Sequence, residues 1–414
     1  MVIHRAAKIG FFIRRPRDFF LFELLARELN AEFIIIPPIA MNIFAQGKRL
    51  IKTLDAEPME RFMASRDMPW RKYEGNILDN EINEIENFFS PYDALLDSQK
   101  SLFLMHPALN GKKRILYFYD DAIPGYWPTI SFSNIDMVLS TGKYFNDLLR
   151  PFINTVQIGD LYLDFPQPYS KNELPQNLDE NKKTILFAPS EDVFYSPAGF
   201  SGEINALTDE YNVIVQLSQI SATSERNKNL FALNKEIILL DESFDIRKLN
   251  PFINIVLSDN SAAVMEWLSD GKPCIVLDAW SNEFNILNGV PDATRKNLSF
   301  DAGLFAAFSP AELRNVIDKA LDASIPADNK FALNFFEIGT EPAYKRAAAA
   351  MAGFLASPST LPSPKSVLAF HPGDHALQNF VLQHRLKNIF MPISNIFREP
   401  MLFKKIQKII KTFF

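Results

Sequence analysis

The chain has a single cysteine, Cys274, and no part of it approaches the ~18 uninterrupted apolar residues of a membrane-spanning helix. One cysteine excludes an intrachain disulfide framework and is typical of a cytosolic protein. The first residues contain an apolar patch that Arg14 and Arg15 interrupt, and they lack a small-residue cleavage site. We therefore expect a first strand there rather than a signal peptide.

The glycine-rich fingerprint G-x-G-x-x-G is also missing, although the first 36 residues predict a strand, a helix and a second strand. The formal net charge of −6 argues against a general nucleic-acid binder, so we expect no nucleic acid partner. With 47% apolar and 22% charged residues, the 414-residue chain has the composition and length of two globular domains. Residues 45–90 are expected to be helical and polar, with weak strand signals.

Three arginines, Arg14, Arg15 and Arg17, follow the first predicted strand, at residues 8–13. The helix predicted over residues 18–29 begins directly after them. The arginines either contact an acceptor or a phosphate, or they form a solvated turn, which is the more common arrangement.

Residues 254–278 predict a strand, a turn, a short helix and a second strand in succession. Residues 255–257 form an apolar run of the kind found in buried parallel strands. The polar residues 258–261 supply turn and helix-cap chemistry, and Gly271 and Pro273 end the helix.

The helix predicted in this stretch begins just past the carboxyl end of a strand. Its first turn presents unpaired backbone N–H groups and the positive end of the helix dipole, which together attract anions. Ligands of open α/β sheets lie outside the carboxyl ends of the strands. Asp259, Asn260 and Ser261 are thus predicted to meet a phosphate or a hydroxylated ligand. An ordinary capped β-α-β unit explains the same residues without a ligand.

The same stretch resembles the nucleotide-side motif of the CDP-glycerol glycerophosphotransferase family. That motif is a hydrophobic strand, an Asp, a polar or aromatic residue, a Ser, an acidic residue on the helix and a Lys-Pro before the next strand. GT-B glycosyltransferases and non-hydrolysing UDP-sugar epimerases carry a looser version. Four more stretches resemble the family in the same order: residues 156–164, 184–190, 213–217 and 339–347.

The resemblance implies an α/β protein of the GT-B fold, with two Rossmann-like domains facing a cleft and a C-terminal helical tail. We expect an N-terminal acceptor-side domain over residues 1–165 and a C-terminal domain that binds the nucleotide donor over residues 183–355. The proline-bearing segment 165–182 is predicted to link them, and residues 367–414 to form a basic tail.

By the same resemblance the protein would be a glycosyl- or glycerophosphotransferase with a cytidine-nucleotide donor, either CDP-glycerol-like or CMP-Kdo. It would build a bacterial cell-surface polysaccharide, such as capsule or lipopolysaccharide, on a lipid-linked glycan acceptor. Glu266 would accept hydrogen bonds from the ribose hydroxyls. GT-B transferases generally need no metal, because helix dipoles and basic side chains steady the leaving phosphate. We expect neither a metal nor another cofactor. The other predicted donor-binding residues are Ser190, Asp259, Asn260 and Ser261.

Two histidines of the family pattern are missing. Asp120 and Asp121 stand where the family has a His-Gly pair, and a second histidine, expected near residue 218, is also absent. Carboxylates are then the predicted catalytic groups. Asp120 or Asp121 would act as a general acid or base. Glu191 or Asp192 would instead act as the nucleophile of a double displacement, which fits a retaining transferase.

Two functions from other classes remain open on the sequence. A UDP-sugar 2-epimerase would share the fold and the Asp-x-Ser motif, and would turn over a UDP-sugar without an acceptor. A degenerate transferase would hold a lipid-linked chain as a non-catalytic assembly scaffold, which the missing histidines favour and the retained nucleotide motif opposes.

The last fourteen residues, 401–414, predict a basic amphipathic helix. Such a helix suits the surface of an anionic bilayer, so we expect a cytoplasmic protein that is peripheral on the inner face of the membrane. The rival interpretation is a helix that docks on a protein surface. One face carries Leu402, Ile406, Ile409, Ile410 and Phe413, and the rest carries Lys404, Lys405, Lys408 and Lys411.

Overall fold

The structure is a computed structural model, and it describes seventeen parts of the chain. No helix among these residues is long and apolar enough to span a membrane. The described residues are 7–36, 39–45, 48–53, 56–75, 82–98, 104, 106–118, 135–150, 153–164, 175, 178–189, 197–217, 234–240, 243–258, 262–277, 303–323 and 339–357.

Seven parallel strands form the first sheet, in the order β5-β2-β1-β6-β7-β8-β9. Two further strands, β3 and β4, form a separate antiparallel pair. The strands are β1 (Ile9–Ile13), β2 (Glu32–Ile35), β3 (Ile39–Ala45), β4 (Lys48–Thr53), β5 (Trp70–Lys72), β6 (Ala94–Asp97), β7 (Lys113–Phe118), β8 (Met137–Ser140) and β9 (Thr155–Gln157). The helices of this part are α1 (Pro16–Leu29), α2 (Glu57–Ala64), α3 (Ile82–Phe89) and α4 (Lys143–Leu149).

Six parallel strands form the second sheet, in the order β12-β11-β10-β13-β14-β15. They are β10 (Thr184–Phe187), β11 (Asn212–Gln216), β12 (Ile237–Leu240), β13 (Ile255–Ser258), β14 (Cys274–Leu277) and β15 (Leu304–Ala307). The helices of this part are α5 (Pro197–Ala206), α6 (Ala262–Ser269), α7 (Leu313–Asp322) and α8 (Ala343–Ala356). Cys274 is fully buried in β14, as a small core residue.

The cores of the two sheets are joined. Successive residues of a strand point to opposite faces, so the side chains of each strand of the second sheet pack into a core on either face. Ile185 and Phe187 pack with α5 and α7, whereas Leu186 belongs to a cluster that continues into the core of the first sheet. Aromatic side chains fill much of that larger core, and Phe11 meets Phe22 edge-on at 5.5 Å.

The last described helix, α8, packs against α1 and not on the second sheet that precedes it in the chain. The carboxylate of Asp164 caps it, accepting from the backbone N–H groups of Ala343 at 2.9 Å and Tyr344 at 2.5 Å. Lys113 Nζ donates to the Phe354 carbonyl near its other end at 2.7 Å. A return of the terminal helix to the first half of the chain is the arrangement that the family resemblance implies.

The expectation of a mainly helical segment over residues 45–90 is wrong in part. The antiparallel pair β3–β4 reaches Thr53, and β5 adds an edge strand to the first sheet. The sequence of β4, KRLIKT, mixes lysine, arginine and leucine, which are also good helix formers, so tertiary pairing rather than local propensity decides its state. The predicted tail, residues 367–414, lies outside the described residues.

Candidate functional site

The second sheet reverses its chain order between β10 and β13, since β11 and β12 lie on one side of β10 and β13 to β15 on the other. Ligands of open α/β sheets bind at such a reversal. The two strand ends are bonded to each other. The Ala188 N–H donates to the Leu257 carbonyl at 2.9 Å, and Ser258 Oγ donates to the Ala188 carbonyl at 2.5 Å. Ser190 and Asp259 follow these ends closely in the sequence.

Most of the site residues that the sequence predicts lie outside the described residues, and their roles stay predictions. Glu266 is described by the structure, and its role in donor binding also stays a prediction. The others are Asp120, Asp121, Ser190, Glu191, Asp192, Asp259, Asn260 and Ser261.

Glu266 lies on α6, one turn after the helix begins, and its side chain is 3% exposed. Its Oε1 accepts a hydrogen bond from Arg17 Nη2 at 2.6 Å. Burial raises the pKa of Glu266, and the Arg17 guanidinium opposes that rise. Arg17 is the second residue of α1, so the ion pair joins the helix after β13 to the helix after β1.

Two guanidinium groups lie over the ring of Tyr162, which follows β9. The ring centroid is 5.0 Å from the central carbon of Arg17 and 4.9 Å from that of Arg247. Arg247 also donates to the Tyr162 carbonyl at 3.3 Å, and Asp245 accepts from its Nε and Nη2, each at 2.8 Å. Tyr162, Asp245 and Arg247 are buried. Cation–π contacts strengthen on desolvation. The contacts of Tyr162 with Arg17 and Arg247 therefore help to hold the two halves of the chain together.

The first sheet also reverses its chain order, between β1 and β6. Arg14 follows β1, and Asp97 ends β6. Arg14 Nη1 and Nη2 donate to Asp97 Oδ1 and Oδ2 at 2.8 and 2.6 Å. Asp97 is fully buried and Arg14 nearly so. Burial lowers the pKa of Arg14, but its contact with Asp97 outweighs that effect and the pKa is raised. A bidentate ion pair thus occupies this reversal.

The three arginines after β1 do not form a solvated turn. Arg14 is buried against Asp97, and Arg17 reaches Glu266 in the second half of the chain. The turn is fixed by Asp18, whose carboxylate accepts from the backbone N–H groups of Arg14 and Arg15 at 2.8 and 3.1 Å. The sequence signal for the ion pair was an aspartate directly after the apolar run of β6.

Asp160 is a second buried carboxylate at the carboxyl edge of the first sheet. Its Oδ1 accepts from the Tyr117 hydroxyl at 2.8 Å and from the Tyr162 N–H at 2.9 Å. Among the described residues, its Oδ2 has no hydrogen-bond partner. Burial raises the pKa of Asp160 to about 6, although the two hydrogen bonds act in the opposite direction. The carboxyl group therefore changes its protonation state between acid and neutral pH.

Replacing Asp160 by asparagine is expected to remove a pH dependence of stability. The folded carboxyl has a pKa of about 6 and the unfolded one about 4, so its stabilising effect is present below pH 4 and lost as pH rises through 6. Between pH 4 and pH 8 the variant should gain about 2–3 kcal/mol in free energy of unfolding relative to the parent. Urea unfolding across this range measures it. The exposed Asp209, changed to asparagine, is the control, and parallel curves for parent and Asp160→Asn would contradict the prediction.

The part of the chain that the structure describes contains no group of three or more His, Cys, Asp or Glu side chains able to hold a metal ion.

No family model matches the chain, and no curated protein matches its sequence. Solved structures do match. A UDP-GlcNAc 2-epimerase from Neisseria meningitidis bound to UDP-GlcNAc aligns with a TM-score of 0.53 at 12% identity, over 84% of this chain and 100% of that one. MnaA of S. aureus with UDP aligns with a TM-score of 0.54 at 12% identity, over 87% and 100%. The wall teichoic acid polymerase TagF aligns with a TM-score of 0.52 at 12% identity, over 85% and 89%.

These likenesses are at the level of fold. Together with the two parallel sheets and their alternating helices, they identify the chain as a GT-B fold protein. The fold class predicted from the sequence is confirmed.

Proposed function

We propose that this protein is a transferase that takes a glycosyl or glycerophosphate group from a cytidine-nucleotide donor, CDP-glycerol-like or CMP-Kdo. The observation that carries the proposal is the position of the β13–α6 unit. It lies at the chain reversal of the second sheet, where ligands of such sheets bind, and it carries Glu266 one turn into the helix.

The chemistry of a nucleotide fits this unit. The first turn of α6 would hold the donor phosphate through backbone N–H groups and the helix dipole, aided by Ser190 and residues 259–261. Glu266 would accept hydrogen bonds from the ribose hydroxyls. A carboxylate is an acceptor with two oxygens, which matches the paired O–H donors of a ribose diol.

The first half of the chain, residues 1–165, would bind a lipid-linked glycan, and residues 183–355 the donor. The basic amphipathic segment 401–414 would keep the protein on the inner face of the cytoplasmic membrane. Its product would be a bacterial cell-surface polysaccharide. Co-sedimentation of the full chain with phosphatidylserine vesicles tests the membrane contact, and binding no stronger than to neutral vesicles would contradict it.

A UDP-sugar 2-epimerase is the second candidate function. Two of the similar structures contain UDP or UDP-GlcNAc. TagF, a wall teichoic acid polymerase, is similar to this chain to the same degree. The sequence motif favours the cytidine donor, because its Asp-Asn-Ser and Lys-Pro elements resemble the glycerophosphotransferase pattern. A non-catalytic assembly scaffold would bind no nucleotide, which separates it from both.

Nucleotide titration monitored by thermal unfolding tests the proposal. CMP or CDP at a ~100-fold excess over its dissociation constant should stabilise the folded protein by about 2.7 kcal/mol, and GDP should not. A second comparison uses Glu266→Gln, which weakens the acceptor for the ribose hydroxyls. The stabilisation of this variant and of the parent is measured with CMP and with 2′-deoxy-CMP. Stabilisation by UDP alone would replace the transferase with the UDP-sugar enzyme, and no response to any nucleotide would favour the scaffold.

A further inference from the structure

One ion pair connects the chain reversals of the two sheets. Arg17 is the second residue of α1, just past the carboxyl end of β1, and Glu266 lies on α6, just past the carboxyl end of β13. Their side chains meet at 2.6 Å although the residues are 249 positions apart. The pair therefore crosses from the first sheet to the nucleotide site proposed above, and the inference below rests on that proposed function.

The side chains of Arg17 and Glu266 differ in their exposure to solvent. The Arg17 side chain is 32% exposed, whereas that of Glu266 is 3% exposed. A molecule from solvent can reach the guanidinium, but it can reach the carboxylate only if covering groups move. Ribose hydroxyls that bond to both oxygens of Glu266 would need the place that Arg17 Nη2 takes at Oε1, because a hydrogen-bond donor lies within about 3 Å of its acceptor.

The guanidinium and the ribose diol make similar demands on a carboxylate. Each offers adjacent hydrogen-bond donors at a spacing that two carboxylate oxygens can meet. If the ribose diol replaces the Arg17 guanidinium, the buried carboxylate has hydrogen-bond donors both before and after the ligand binds. An empty site without Arg17 would instead hold a buried carboxylate that has lost its cation, which is costly.

We propose that Arg17 is a built-in competitor of the nucleotide: in the unliganded protein it occupies the ribose-binding carboxylate Glu266, and a ribonucleotide displaces it. The exchange breaks one contact between the halves of the chain, while the Arg247 contacts with Tyr162 persist. Arg17 thereby sets the affinity of the site and its selectivity for ribose, because only a ligand with the diol replaces the donors that the carboxylate loses.

The experiment is a calorimetric titration of the full chain with CMP and 2′-deoxy-CMP at pH 8. Arg17→Ala should bind CMP about tenfold more tightly than the parent, equivalent to about 1.4 kcal/mol, because no competitor has to leave. The gain for 2′-deoxy-CMP should be less than about twofold, because a ligand without the full diol does not displace Arg17 and so gains nothing from its removal. Arg27→Ala is the matched control: it removes an exposed arginine of the same helix that pairs with the half-buried Glu23, and should change neither affinity.

A double-variant cycle gives a second readout. In a Glu266→Gln background, Arg17→Ala should give no gain, because the group for which Arg17 competes is already altered. Arg17→Gln replaces Arg17→Ala if the latter fails to fold. Weaker CMP binding in the Arg17 variants, or equal gains for CMP and 2′-deoxy-CMP, would overturn the competitor role alone. Failure of parent and variants to bind any of CMP, UMP and GMP would overturn the proposed function and this inference together.

Discussion

Replacing Asp97 by alanine is expected to lower the free energy of unfolding by about 3–5 kcal/mol, the usual cost of removing one partner from a buried ion pair. Asp97 is fully buried at the end of β6, and both of its oxygens accept from Arg14. The variant leaves a guanidinium in the core of the first sheet without the carboxylate that compensates its desolvation. Urea unfolding at pH 7 measures the loss.

Two further variants show whether charge pairing is the cause. Arg14→Met combined with Asp97→Leu should recover most of the loss, because exchange of a whole buried ion pair for apolar groups of similar volume is often nearly neutral. Glu23→Ala breaks the exposed pair with Arg27 and should cost about 0.5 kcal/mol or less. A double variant no more stable than Asp97→Ala would show that the unpaired charge is not the cause of the loss.

The reversals of the two sheets are used in different ways. In the first sheet the reversal is filled by the protein's own ion pair, Arg14–Asp97, so its strand ends are locked from within. In the second sheet, hydrogen bonds from Ala188 to Leu257 and from the Ser258 side chain to Ala188 join the ends of β10 and β13, and the chain continues into the motif that resembles a nucleotide site. At the reversal of the first sheet, the polar side chains Arg14 and Asp97 therefore bond to each other. At the reversal of the second sheet, the polar residues of the motif are the ones proposed to bind the donor.

Much of the fold follows from local patterns. The apolar runs of β1, β7 and β13 predict strands, and each is a buried parallel strand in the structure. The helix over residues 262–269 begins after the predicted cap and ends before Gly271, whose φ of 77° is the left-handed conformation that glycine favours. The β3–β4 pair was missed, since charged residues among its apolar ones hide the alternation.

Contacts across the two halves could not be derived from the sequence. The arginines after β1 are visible in the sequence, and so is the acidic residue of α6, but periodicity does not tell which cation meets which carboxylate. Arg17 and Glu266 are 249 positions apart in the sequence, and they meet because the cores of the two sheets are joined. The same holds for Tyr162 and Arg247, whose contact no sequence pattern predicts.

Changing Asp192 to asparagine is expected to lower transferase turnover on the order of 1,000-fold or more while CMP binding stays within about twofold of the parent. The reason lies in the proposed double displacement of a retaining enzyme. An Asp192 oxygen would form a bond to the anomeric carbon of the donor sugar as CMP leaves with the bonding electrons. The acceptor hydroxyl oxygen would then displace the carboxylate and lose its proton to Asp120 or Asp121. An amide cannot perform the first step.

The measurement pairs turnover with nucleotide titration of the same sample, because only their separation identifies a nucleophile. Glu191→Gln distinguishes the neighbouring candidate, and Asp121→Asn should impair the proton transfer by about 100- to 10,000-fold. The control is Asp209→Asn, which removes an exposed carboxylate that precedes β11 and so lies at the opposite end of the sheet from the proposed site. Full turnover by Asp192→Asn would leave Glu191, or a single displacement, as the remaining mechanism. A parallel loss of CMP binding would make Asp192 a donor-binding residue instead.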